Sequence, residues 1–179
     1  MPKYPKRLHM GNDRAAVFEH EPAMYAVHQT QDAGPRARPR ADARSSPRTG
    51  GAGKDTPVAV VREGATSTFS VYRGRPGVEV RDEDVGPVYS AGPGGPLAVP
   101  TGRVLVRLAK GQKPEERTQE FASAGFEIEK TLPYAPSAAW LKPRGGVAQA
   151  LSHLDALEKM PGVEHVEPQL LMERALKGE

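Results

Sequence analysis

Five histidines, His9, His20, His28, His153 and His165, are the side chains best suited to hold a metal or move a proton near neutral pH, and none stands at a ligand spacing. "HEP" at residues 20–22 lacks the second histidine of the helical zinc motif, so all five read as packing or surface residues. No serine sits in a G-x-S-x-G turn. Asp155 and Glu158 fall on the polar side of a helical pattern, where two carboxylates are solvated rather than paired for acid–base work. "GGAGKD" imitates a phosphate loop but fails at both ends, because Arg48 occupies the first glycine position and Asp55 replaces the required Ser or Thr. With no cysteine, disulfides, zinc thiolates and thiol catalysis are excluded together. No catalytic constellation remains, and the chain is expected to be neither an enzyme nor a binder of a metal or cofactor.

Charge narrows the field further. Residues 35–54 contain six basic side chains against Asp42, a net +5, so the rest of a chain with formal charge +3 carries −2. The high pI therefore comes from one stretch and not from a basic domain, which argues against nucleic acid as a partner. The N-terminus has basic residues without a following apolar run, and no stretch is long enough to span a bilayer. A soluble cytoplasmic protein without membrane contact is the expectation.

The elements that would position any binding residues are unevenly distributed. Residues 1–31 have apolar positions without a clean period and receive no assignment beyond, at most, one short helix. Residues 32–56, "DAGPRARPRADARSSPRTGGAGKDT", have almost no large apolar side chain to offset the entropy of ordering and read as a disordered basic linker. Residues 57–100 read as a small β-rich region from the strand-like runs "VAVVRE", "STFSVYRG", "VEVRDE" and "PVYSA", followed by the "GPGGP" break and by "PLAVP" as an extended lead-in.

From residue 101 the local signals agree with one another. "RVLVRLA" alternates as a strand, with Val104, Val106 and Leu108 on one side. Pro114 suits the first turn of a helix, with Thr118, Phe121 and Ala122 facing inward and Gly125 ending it. "FEIEKTL" puts Phe126, Ile128 and Lys130 on one side, and pairs with "AAWLK" across a moderately long loop. Val147, Ala150, Leu151, Leu154 and Leu157 share one face of a helix over 146–159, and "VEHVEP" is the last strand. The order βαββαβ predicts an α+β, ferredoxin-like module over residues 101–179, with two helices on one side of a four-stranded antiparallel sheet.

"RVLVRLAKG", "GFEIEKTLPYAPSAAWLK" and "LDALEKMPGVEHVEP", in this order and spacing, make residues 103–175 resemble the propeptide of subtilisin-like serine proteases and the free-standing inhibitors built on that module. The resemblance implies a sheet face that docks on two surface helices of the protease and a C-terminal tail that enters its cleft. Glu167 matches the first acidic position that caps those helices, and Gln169 falls on the second without the charge. The tail would be Met172, Glu173, Arg174, Ala175 and Leu176, with either Ala175 or Leu176 in the deepest pocket. No catalytic domain follows before Glu179, so the expected action on a subtilisin-like serine protease is in trans, as inhibitor, chaperone or both. Trp140 reads either as core or as an aromatic anchor on the open sheet face, and Tyr134 in the hairpin loop poses the same choice.

Two other classes share the topology. A ferredoxin-like regulatory or protein-interaction module without a protease target would favour a Gly/Asp-rich ligand loop after the first strand, where "AKGQKPEE" has one glycine. An RNA-binding module would want exposed aromatics on the first and third strands, and "RVLVRLA" has none.

Overall fold

A computed structural model of the chain describes residues 4–10, 16–30, 56–77 and 80–172. Strands dominate an α+β architecture: β1 (Arg7–Met10), β2 (Ala16–Thr30), β3 (Ala59–Glu63), β4 (Ser67–Arg73), β5 (Val85–Ser90), β6 (Leu97–Leu108), β7 (Phe126–Leu132), β8 (Ala135–Pro143) and β9 (Val163–Met172). The helices are short: α1 (Thr118–Ser123), α2 (Val147–Ser152) and α3 (Leu154–Glu158). All nine strands join one antiparallel sheet in the order β3-β4-β2-β5-β6-β8-β7, with β1 added to β2 and β9 to β6.

The sequence of β6 explains its central place. Val104, Val106 and Leu108 alternate with Arg103, Leu105 and Arg107, so one face is apolar and the other mixed. The apolar row packs with Phe121, Phe126, Leu141, Leu151, Leu154 and Leu157 into the larger core, which puts all three helices on that side. At its other end β6 contributes Val99 to a smaller core with Ala26, Ala59, Phe69, Val71 and Val88. Leu171 of β9 packs on the same cluster as Ala59 of β3, so the sheet curls until its β3 edge lies against β9.

The expected boundary at residues 100 and 101 falls inside β6, because "PLAVP" is the beginning of that strand and not a lead-in. Residues 1–31, left without assignment by their sequence, supply β1 and the fifteen-residue β2. Pro22 interrupts β2 between His20 and Tyr25, where its register against β5 shifts, so no single period survives along it. Most of the expected linker, 32–55, lies outside the described residues.

Four local readings change. Asp82 and Glu83 of "VEVRDE" form, with the following Asp84, a 3₁₀ turn and not strand, with Arg81 bound to Glu83 and Asp84 at 2.9 Å each. Thr118 is exposed at the start of α1, and the buried positions there are Pro114, Phe121 and Ala124. A bulge after Ile128 moves Lys130 off the row of Phe126 and Ile128 to lie opposite Trp140, and the β7–β8 loop is only Pro133–Tyr134. The second helix is split at His153, whose Nδ1 binds the Ala124 carbonyl at 2.9 Å and pulls the helix pair onto the end of α1. All five apolar positions assigned to that helix are buried.

Gly102 bends β6 between its two cores. It adopts φ 89°, and a Cβ there would lie 3.1 Å from Pro143 Cγ. Gly102→Ala is therefore expected to lower stability by about 1 to 3 kcal/mol, from strain and crowding together; an unchanged urea midpoint would show that the bend tolerates a side chain. Tyr89 joins the chain's first residues to β5 by donating its hydroxyl to the Pro5 carbonyl at 2.9 Å. Burial, and secondarily Tyr4, push its phenol well above the usual tyrosine value. The folded chain thus keeps a proton that the unfolded chain loses above about pH 10, so stability should fall as pH rises beyond that point. Tyr89→Phe should flatten that alkaline slope in denaturation curves, and an identical slope in both proteins would contradict the assignment.

Candidate functional site

The side of β7, β8, β6 and β9 away from the helices carries the residues that could meet a partner. Leu105 of β6 lies opposite Trp140 of β8 on one side and Glu167 of β9 on the other. Arg107 lies opposite Ala138 and His165, and Lys130 lies opposite Trp140. Leu105 and Trp140 are both half-buried, which leaves an aliphatic and aromatic centre within a ring of charge. Trp140 thus stands on the face that the anchor reading requires and not in the main core. Tyr134 projects from the hairpin tip at 83 % exposure.

Electrostatics divide this face into a locked end and an open end. Arg103 is held by Glu63 at 2.5 Å and by Glu129 at 2.9 Å, so β3 closes over the face at that corner. Glu129 reaches Arg103 because it is the extra residue of the β7 bulge. Lys142 binds Glu127 at 2.9 Å, and this hydrogen bond first, then the lysine's charge, holds the Glu127 carboxyl below its usual value. Both groups are exposed, so the pair orients side chains more than it stabilises the fold. Lys130 makes no ion pair among the described residues.

The residues proposed to dock on protease helices are already engaged within the chain. His165 Nε2 donates to Glu167 Oε2 at 3.0 Å, with the Glu167 side chain still 28 % exposed. Gln169 accepts the Thr101 hydroxyl at 2.8 Å, so its amide oxygen is used in the β6–β9 ladder and less free for a partner. Met172 is not the start of a free tail: β9 continues through it, paired with Ala98, because β6 begins early enough to offer an edge. Its side chain is nevertheless 48 % exposed. Glu173, Arg174, Ala175 and Leu176 lie outside the described residues.

A groove of about 630 Å³ runs between β1, α3 and β9, lined among others by Arg7, His9, Asp155, Glu158 and His165. Its ionisable groups do not converge, and no group of three or more His, Asp or Glu residues among those described could hold a metal ion. No described helix is long and apolar enough to cross a membrane. The roles of Leu105 and Arg103 escaped the sequence reading, although their alternation with Val104 and Val106 already placed them on the outer row. The bridge from Arg103 to Glu63 joins residues forty apart and leaves no local signal.

No family model, no curated protein and no solved structure matches the chain. Trp140→Ala should cost less than about 2 kcal/mol in chemical denaturation, whereas Phe121→Ala in the main core should cost about 3 to 5 kcal/mol. Equal losses would make Trp140 a core residue and remove it from the docking face.

Proposed function

We propose that the chain is a trans-acting inhibitor, folding chaperone or both, for a subtilisin-like serine protease on a separate chain. One observation carries the reading: the order β7-β8-β6-β9, with the helices on one face and Leu105, Trp140 and Glu167 on the other. This is the strand order of the split βαβ, ferredoxin-like arrangement, and it is the one the resemblance to subtilase propeptides requires. Half-buried Trp140 supplies the kind of aromatic centre that dominates binding energy at interfaces. Glu167 offers a carboxylate to the orphan N–H groups of an enzyme helix, and the Glu127–Lys142 pair lies on the same face to fix orientation.

The tail would act beyond Met172, in residues 173–176, with Ala175 or Leu176 filling the deepest pocket. Because β9 holds the strand as far as Met172, a cleft-bound tail would begin at the end of a rigid ladder, which lowers the entropy lost on binding. The pairing of residues 170–172 with β6 also favours a second reading, a protein-interaction module that uses the same face without inserting a tail.

The test is inhibition of broad-specificity subtilisin-like proteases by the intact chain, by a chain ending at Met172, and by Trp140→Ala. Inhibition by the intact chain, weakened at least about tenfold in each variant, is expected from the loss of an interface anchor or a held segment. Failure of the intact chain to inhibit any subtilase would sink the proposal. Binding that is unchanged after removal of 173–179 would leave the module and remove the tail.

A further inference from the structure

The outer face of β2, β4 and β3 is a second surface with no part in protease docking. Tyr25 and Tyr72 lie opposite each other in the β2–β4 ladder, their rings stacked at 5.5 Å and 23°. Their neighbours Ala26 and Val71 point into the smaller core, so alternation puts both tyrosines on the outside of the curl. Val58, just before β3, and Val60 on it lie in step with Tyr72 and are each 43 % exposed, and Arg62 continues the same row. Arg75 follows just past the end of β4, whereas Arg73, opposite Met24, shares the inner side with Val71. Arg62 and Arg75 are exposed and make no ion pair among the described residues. The acidic turn Asp82–Asp84 leads into β5, on the other side of β2 from β4, where Arg81 binds Glu83 and Asp84.

Aromatic rings on a sheet surface, exposed aliphatic side chains and exposed arginines suit one ligand chemistry: a polyanion that also offers flat rings. We propose that this face binds single-stranded nucleic acid, with Tyr25 and Tyr72 stacking on bases and Arg62 and Arg75 contacting phosphates. Protein partners fit less well, because an acidic peptide would answer the arginines without using the stacked tyrosines. Duplex nucleic acid fits less well because its bases are not free to stack. Base-on-aromatic stacking tolerates any sequence, and the phosphate contacts make binding depend on salt.

Fluorescence anisotropy of the full chain with a labelled oligouridylate of about 20 nucleotides tests the proposal. Binding should weaken steeply between about 50 and 200 mM salt. Tyr72→Ala and Tyr25→Ala should each weaken it by about 5- to 100-fold, while Tyr72→Phe, which keeps the ring, should bind like the parent. Circular dichroism melting of each variant separates loss of binding from loss of fold. No binding at low salt overturns the proposal. So does equal binding by the parent and folded alanine variants, which would assign the affinity to the basic stretch alone, and so does competition by the duplex as strong as by the single strand.

Discussion

Among the described residues, the one strand pairing that joins β1–β5 to β6–β9 is that of β5 with β6. A strand of twelve residues is shared by two cores: its beginning pairs with β5 and the end of β9, and its end pairs with β8 and the start of β9. The two parts are joined by Thr101, Gly102 and Arg103, which interrupt the ladder between Pro100 and Val104. Such a bulge increases local twist, and here it lies where the sheet passes from the four strands under the helices into the curl. The left-handed backbone of Gly102 is thus a requirement of the architecture and not a local accident.

That arrangement determines which surfaces are free. The row Arg103, Leu105 and Arg107 faces away from the helices, and at its Arg103 end it is continuous with the interior of the curl, where Val99 and Leu171 are packed. The ion pairs from Arg103 to Glu63 and Glu129 stand at the entrance to that interior. With side chains one-fifth to two-fifths exposed, these pairs are partly screened, and their contribution is more to position than to stability. The docking face that we propose is consequently limited to the end bearing Trp140, while Tyr25 and Tyr72 occupy the outside of the curl. Two partners could therefore be held without competing for one site.

The parts legible in the sequence were those whose period is unbroken. Val104, Val106 and Leu108 announced a strand, and Val147, Ala150, Leu151, Leu154 and Leu157 announced a helical face, since in each case one side alone is buried. The N-terminal strands were not legible, because β2 fully buries few side chains, among them Phe18 and the small Ala26, and is broken at Pro22. Lys130 was placed on the wrong row because a bulge adds one residue to the count without leaving a composition signal. Of the docking residues, Trp140 could be placed on its strand but not on its face, which depends on the register of β8 against β6. The pairing of Met172 with Ala98 could not be seen while residues 96–100 read as an extended lead-in to the strand.

The central claim, that the Trp140 face receives a subtilisin-like protease, is tested most directly by hydrogen exchange of the full chain with and without a catalytically inactive subtilase. The account predicts slowed exchange at residues 103–107, at 138–142 and at the Tyr134 turn, with β3 and β4 unchanged. Unchanged exchange throughout, or protection confined to β2, β3 and β4, would contradict it.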